Sequence, residues 1–434
     1  MTLAIRDNAT IWHPLTQHQI SPLPLPIVRG EGAYLIDASE KRYLDLVSSW
    51  WVNIHGHAEP TIAKAIYEQA LKIEQVIFAG FTHEPAVTLA EKLLKLLPAN
   101  FSKVYFSDNG STAVEVALKM AYQYWRNQGD TKRSRFIAFN NAYHGDTFGA
   151  MAVSKESFYF KQFADLLFAV DMFDYPGTWV SDDLIEEKEQ QILAKLSAHL
   201  EKYANETAAL IIEPLVQGSG GMNMCRPVFL QQLVALVKSY DVLVIYDEIM
   251  TGFYRTGGLF ACQKSETVPD IICLSKGLTG GFLPLSVTVC HETIYQAFLG
   301  SDYTKALGHS HSYTANPLGC AAALASLGLL QRDETRAQVK LIEQIHREEL
   351  AKMADCTRIE KIRYCGTIAA FDLVLSADYG SSASVKLRER FLKHGLIIRP
   401  LGNIVYILPP YCICEDDLRR AYQLIRKEIE GVNL

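Results

Sequence analysis

Two charged residues, Asp247 and Lys276, each stand at the end of a short apolar run. Residues 242–246 (VLVIY) lead to Asp247 and Glu248, and residues 271–274 (IICL) lead to Ser275 and Lys276. The length and β-branched content of both runs predict strands of a parallel sheet. Open α/β sheets bind ligands outside the carboxyl ends of their strands, so this pattern delivers a carboxylate and an amine to one crevice. The pair suits pyridoxal phosphate. An amine condenses with the cofactor's aldehyde, and a carboxylate keeps the pyridine nitrogen protonated, which makes the ring an electron sink. The same two residues could equally form a buried structural ion pair, or face solvent as strand-end charges.

Other stretches supply what such a cofactor needs. Residues 107–112 (SDNGST) join a predicted strand, Val104–Phe106, to a predicted helix, Ala113–Trp125. Small residues at a helix start leave N–H groups free for a phosphate, although they also make an ordinary N-cap. A third predicted strand, Phe136–Phe139, runs into Tyr143-His144-Gly145-Asp146. Tyr143 or His144 there could lie flat on a cofactor ring, or the tyrosine could simply be buried in a loop. Trp50 and Trp51 follow Ser48 and Ser49, and they read either as core or as walls for an extended apolar ligand. Arg399 falls between two predicted strands, Leu396–Ile398 and Val405–Leu408. If it faces the cleft, its planar fork suits a substrate carboxylate; otherwise it is a surface ion pair. His309 and His311 have no third ligand nearby in sequence, so no metal site is predicted.

The elements that must position these residues alternate. Further strands are predicted at Phe168–Met172, Ala209–Ile212 and Leu285–Val289, with helices at Pro60–Lys72 and Pro85–Leu97 and a charged, solvated helix at Ser181–Tyr203. This predicts an α/β fold with a mostly parallel central sheet covered on both faces. Pro14, Pro22, Pro24 and Pro26 keep the N-terminal arm irregular, and Tyr34–Asp45 predicts a hairpin. From Ala321 to Met353 the pattern is helical, and a smaller α+β region follows, ending in a helix at Glu415–Ile429. At 434 residues, two domains are expected. The expected division is an arm with part of a small domain (1–50), a large domain (51–325) and a C-terminal small domain (326–434).

A formal charge of −6, from 42 basic and 48 acidic residues, leaves no basic field for nucleic acid. Nine cysteines without zinc-site spacing read as reduced thiols. Residues 1–13 hold no apolar core of signal-peptide length, and the longest apolar stretch, Cys320–Leu330, is too short to span a bilayer. A cytoplasmic protein with no membrane partner is expected.

The chain resembles the class III, fold-type I aminotransferases, which use pyridoxal phosphate, over almost its whole length. Residues 246–253 (YDEIMTGF), 274–277 (LSKG) and 212–214 (IEP) carry the resemblance. Residues 12–14 (WHP), 49–51 (SWW), 143–147 (YHGDT) and 398–400 (IRP), with Tyr406, refine it. It implies that Lys276 binds the cofactor aldehyde and shuttles the proton, and that Asp247 holds the ring nitrogen. It further implies that Tyr143 stacks on the ring and touches substrate. Gly110 and Ser111 would bind the phosphate, with His311 and Ser312 reaching across from the second subunit of a homodimer with shared sites. Trp50, Ser310 and Arg399 would meet substrate, Arg399 at its carboxylate.

The refined resemblance implies S-adenosylmethionine as amino donor and 8-amino-7-oxononanoate as acceptor, giving 7,8-diaminononanoate in biotin biosynthesis. An ω-amino acid:pyruvate aminotransferase, a same-fold aminomutase or decarboxylase, and a binding protein with a relict site are the alternatives. Three positions depart from the family pattern. Leu15 stands where an aromatic residue is common, and Ser310-His311-Ser312 replaces the usual Gly-Pro-Thr. Ser219 occupies a place where relatives that use glutamate or ornithine tend to carry a glutamate that neutralises the arginine.

Overall fold

The computed structural model describes residues 1–154, 158–375 and 382–431. A seven-stranded sheet runs, edge to edge, through Phe101–Ser107, Ser286–His291, Ile271–Leu274, Leu243–Asp247, Thr207–Ile212, Arg135–Phe139 and Asp171–Phe173. Strands Leu243–Asp247 and Ile271–Leu274 are parallel, with Asp247 paired to Cys273. Leu243–Asp247 is also parallel to Thr207–Ile212, which is parallel to Arg135–Phe139. The apolar runs are continuous because both sheet faces are covered: every residue of Thr207–Ile212 and of Ile271–Leu274 is buried.

Strand Ser286–His291 runs antiparallel to both its neighbours. Its connection from Leu274 holds only one short 3-10 turn, Lys276–Thr279, and a parallel crossover needs a longer excursion. The edge strand begins at Asp171, three residues later than the sequence predicts. The helix at Ile185–Tyr203 is not merely a solvated face. It buries Ile192, Leu193, Leu196 and Leu200, an i, i+4, i+8 stripe against the core.

Three smaller sheets flank the large one. The predicted hairpin forms, and its strand Arg42–Asp45 pairs in parallel with Leu396–Ile397, joining the two ends of the chain. Ile359–Cys365, Ile368–Leu373 and Ile404–Ile407 form an antiparallel sheet, and Val216–Gln217 pairs with Asn223–Met224. The long helical stretch is two helices, Pro317–Leu330 and Asp333–Met353, interrupted at Gln331–Arg332. Among the described residues, no helix is long and apolar enough to cross a membrane.

Candidate active site

Four adjacent parallel strands end at one edge of the large sheet. They bring together Tyr143 and His144, then Glu213, then Asp247, then Lys276. Asp247 is 4% exposed; its Oδ2 lies 2.7 Å from His144 Nδ1, and its Oδ1 accepts the Ile249 N–H at 3.0 Å. His144 is buried too, and its Nε2 has no hydrogen-bond partner among the described residues. Asp247 is therefore aimed by His144 rather than paired to Lys276, and it attracts Lys276 only at range. Lys276 takes a left-handed φ of 47°, with Nζ 5.2 Å from the ring centroid of Trp51. Burial lowers its pKa, against the opposing pull of Asp247 and Glu213.

The helix Gly110–Asn127 starts beside this group. A capping box closes its first turn: Asn109 Oδ1 accepts the Thr112 N–H, and Thr112 Oγ1 accepts the Asn109 N–H. Ser111 Oγ accepts the Asp146 N–H at 3.0 Å, which ties the helix start to the Tyr143 loop. The backbone packing here leaves no room for side chains. A Cβ on Gly110 would lie 2.9 Å from Ile249, and one on Gly145, at φ 131°, would lie 2.2 Å from Ser111 Oγ. Early helix N–H groups beside a buried carboxylate and amine fit the phosphate, ring nitrogen and aldehyde of pyridoxal phosphate.

A cleft of about 360 Å³ opens above, lined among others by Leu15, Trp50, Tyr143, Ser219, Lys276 and Arg399. Both tryptophans line this cleft, and they differ in how deeply they are buried. Trp51 is core, 4% exposed, its Nε1 donating to Tyr406 Oη at 3.1 Å. Trp50 is 40% exposed and forms a wall, with the Arg399 guanidinium 4.5 Å from its ring centroid. Ser48, Ser49 and Trp51 all have positive φ, a strained run that surrounding bonds over-determine. Asp45 accepts the N–H groups of Val47 and Ser49, and Ser48 Oγ donates to the Leu408 carbonyl. The fully buried Arg255 donates to the carbonyls of Asn53, Pro409 and Trp51.

Ser310, His311 and Ser312 do not line the cleft of their own chain. Their loop is held by Tyr105 Oη, which donates to the His309 carbonyl, and by Gln75 Nε2, which donates to the Ser312 carbonyl at 2.6 Å. Both ring nitrogens of His311 are buried without a hydrogen-bond partner among the described residues.

A family model described as aminotransferase class III matches residues 15–429. The chain belongs to the class III aminotransferases. Its cofactor is pyridoxal phosphate. This aminotransferase is 51% identical to the adenosylmethionine-8-amino-7-oxononanoate aminotransferase of Synechococcus elongatus, over 97% of this chain and 99% of that protein. The crystal structure of the protein of that name from Methanocaldococcus jannaschii superposes with a TM-score of 0.93 at 36% identity. That match covers 100% of this chain and 99% of the other. An amine transaminase from an uncultivated Pseudomonas species, solved in its PLP-bound form, gives 0.91 at 28% identity, covering 97% and 98%.

For three residues the structure shows contacts that the sequence does not disclose: from sequence His144 is only a ring-stacking candidate, and Glu213 and Arg255 have no role. His144 sits in the quoted 143–147 stretch, but only the fold shows its ring against Asp247. Glu213 lies in the quoted 212–214 stretch, and Arg255 follows the 246–253 stretch. Glu213 ends the predicted strand Ala209–Ile212, the same signal that marks Asp247, whereas nothing local marks Arg255 as buried.

Proposed function

We propose that this aminotransferase moves an amino group from S-adenosylmethionine to the keto carbon of 8-amino-7-oxononanoate, giving 7,8-diaminononanoate in biotin biosynthesis. The observation that carries it is one cleft with Lys276 at its floor, Trp50 along its wall and Arg399 stacked on that wall. An apolar chain ending in a carboxylate matches that order of groups. The name borne by the Synechococcus and Methanocaldococcus relatives supports the same substrates.

Pyridoxal phosphate supplies the electron sink for a carbanion at the substrate carbon and carries the amino group between two half-reactions. Lys276 would hold the cofactor through Nζ and would serve as the base that moves the proton at the reacting carbon, a role that the burial lowering its pKa assists. Asp247, fixed by His144 and the Ile249 N–H, would hold the ring nitrogen in its protonated form. Tyr143 covers the ring and touches substrate. Gly110 and Ser111 present the helix start to the phosphate. Arg399 takes the substrate carboxylate against Trp50. The position of the 310–312 loop outside its own cleft supports a homodimer, in which His311 and Ser312 of the partner subunit complete the phosphate site and Ser310 of the partner subunit borders substrate. Leu15 gives the mouth of the cleft an apolar contact where a hydroxyl is common in the family.

The test is the visible absorption of the purified protein loaded with pyridoxal phosphate. Addition of S-adenosylmethionine should bleach the lysine-bound band, and 8-amino-7-oxononanoate should restore it. Bleaching by lysine but not by S-adenosylmethionine overturns the donor. A bleached band that this keto acid leaves unrestored overturns the acceptor.

A further inference from the structure

Of the four strand ends at the sheet edge, that of Thr207–Ile212 delivers a residue to which the proposed function assigns no role. Glu213 is 5% exposed and uses both carboxylate oxygens on backbone amides of two different loops. Its Oε2 accepts the Tyr143 N–H at 3.1 Å, and its Oε1 accepts the Gly218 N–H at 3.0 Å. Each loop contributes a residue to the wall of the cleft, Tyr143 from one and Ser219 from the other. The second loop is tightly wedged. A Cβ on Gly218 would fall 2.9 Å from the Trp51 ring, and one on Gly220 would fall 2.2 Å from the Asn141 carbonyl oxygen. The two loops are tied twice: directly, by Gln217 Nε2, which donates to the Asn140 carbonyl at 3.0 Å, and through Glu213, which bonds an amide of each at the residues nearest the cleft.

Glu213 also belongs electrostatically to the site. Burial pushes its carboxyl up to about 7, His144 and the two amides pull it down, and Asp247 pushes it up. It in turn raises the proton affinity of Lys276. A buried acid could make its amide bonds for stability alone. Glu248 does so at the neighbouring strand end: it is equally buried and accepts the N–H groups of Ala261 and Cys262, neither of which lines the cleft. The difference between the two acids lies in what their amides carry.

We propose that Glu213 is a positioning residue: by accepting the Tyr143 and Gly218 amides it fixes the spacing between the ring-covering tyrosine and the Ser219 wall, and so sets how tightly cofactor and keto acid are held. The proposal rests on the aminotransferase reading of the cleft. Glutamine has one acceptor and one donor at its tip, so Glu213→Gln sets an amino group against one of the two N–H donors. Glu213→Asp keeps the charge but is too short to reach both.

The experiment compares wild type, Glu213→Gln, Glu213→Asp and Glu248→Gln. Three quantities are read: the dissociation constant of pyridoxal phosphate by tryptophan fluorescence, kcat and KM for 8-amino-7-oxononanoate, and Tm of the cofactor-free protein. Both Glu213 variants should raise the cofactor dissociation constant and KM by about tenfold, a lost buried hydrogen bond's worth. Glu248→Gln should lower Tm while leaving both constants within about twofold of wild type. Glu213 variants that lose only Tm, as Glu248→Gln does, would overturn the positioning role. Should Glu213→Gln not fold, Glu213→Asp alone decides it, because wild-type constants in that variant also overturn it. Failure of the wild type to bind pyridoxal phosphate would instead overturn the aminotransferase reading itself.

Discussion

The floor of the site and its walls are built differently. The floor is a set of neighbouring strand ends, and its polar groups are fixed by short buried bonds, such as Asp247 to His144 at 2.7 Å and Glu213 to two amides. Apart from Tyr143 and Ser219, which loops of the sheet itself supply, the walls come from remote segments: Leu15 from the N-terminal arm, Trp50 from a strained turn, and Arg399 from the C-terminal region. They meet because Leu396–Ile397 pairs with Arg42–Asp45, and because Arg255 gathers the carbonyls of Trp51, Asn53 and Pro409. Chemistry common to every substrate is held rigidly by one sheet. Substrate choice is left to segments that vary in sequence with less consequence for the core.

That division predicts different kinetic signatures. The largest effect is expected at the floor. Asp247→Asn removes the charge that keeps the ring nitrogen protonated, and kcat should fall by on the order of 10³-fold, the scale of losing one preorganised electrostatic group. At the walls the loss should be in binding instead. Arg399→Ala should raise KM for 8-amino-7-oxononanoate by about 10²-fold, as expected when one partner of a charge-assisted pair is removed. Its kcat should change far less, because the carboxylate is remote from the reacting carbon. Steady-state kinetics with each substrate varied separately checks both. Equal losses of kcat in the two variants would erase the distinction.

The same division explains what the sequence disclosed. The floor was largely legible, because a parallel strand buried on both faces must be an apolar run, and the residue that ends it must stand at the ligand edge. The sheet-edge placement of Asp247 and Lys276 was read in this way, whereas the roles expected of Tyr143 and Gly110 came from the family resemblance. Strand direction was less legible: nothing in Ser286–His291 distinguishes an antiparallel strand, since only the brevity of the connection before it decides. Trp50 and Trp51 were not separable, because both line the cleft and only the strained turn buries one while leaving the other exposed. Nor was Arg255, whose partners are backbone carbonyls up to about 200 positions away. A side chain that bonds main chain leaves no signature in the identity of its partners.

The smallest expected effect sharpens the comparison through pH. At the floor, burial pushes Glu213 and Glu248 up to about 7. Behind the walls, burial lowers His55 and His346 to about 4. Between about pH 4.5 and 6.5, each of these acids binds a proton more readily folded than unfolded, so its contribution to stability declines as pH rises. Each histidine binds its proton only when unfolded in that window, so its contribution grows as pH rises. The two pairs offset one another. His346 is removable singly: its Nδ1 bonds Tyr422 Oη at 2.7 Å and its Nε2 bonds the Thr367 carbonyl, away from the cleft. His346→Gln should therefore tilt the balance toward the floor. Relative to wild type, its Tm should fall with each unit of rising pH across that window by an amount corresponding to about 1.4 kcal/mol of stability per proton. Glu248→Gln should tilt it the other way. Scanning calorimetry of both variants at pH 5.0 and 6.5 measures the two slopes. Parallel slopes in the two variants would mean that the floor acids are not held protonated by the fold.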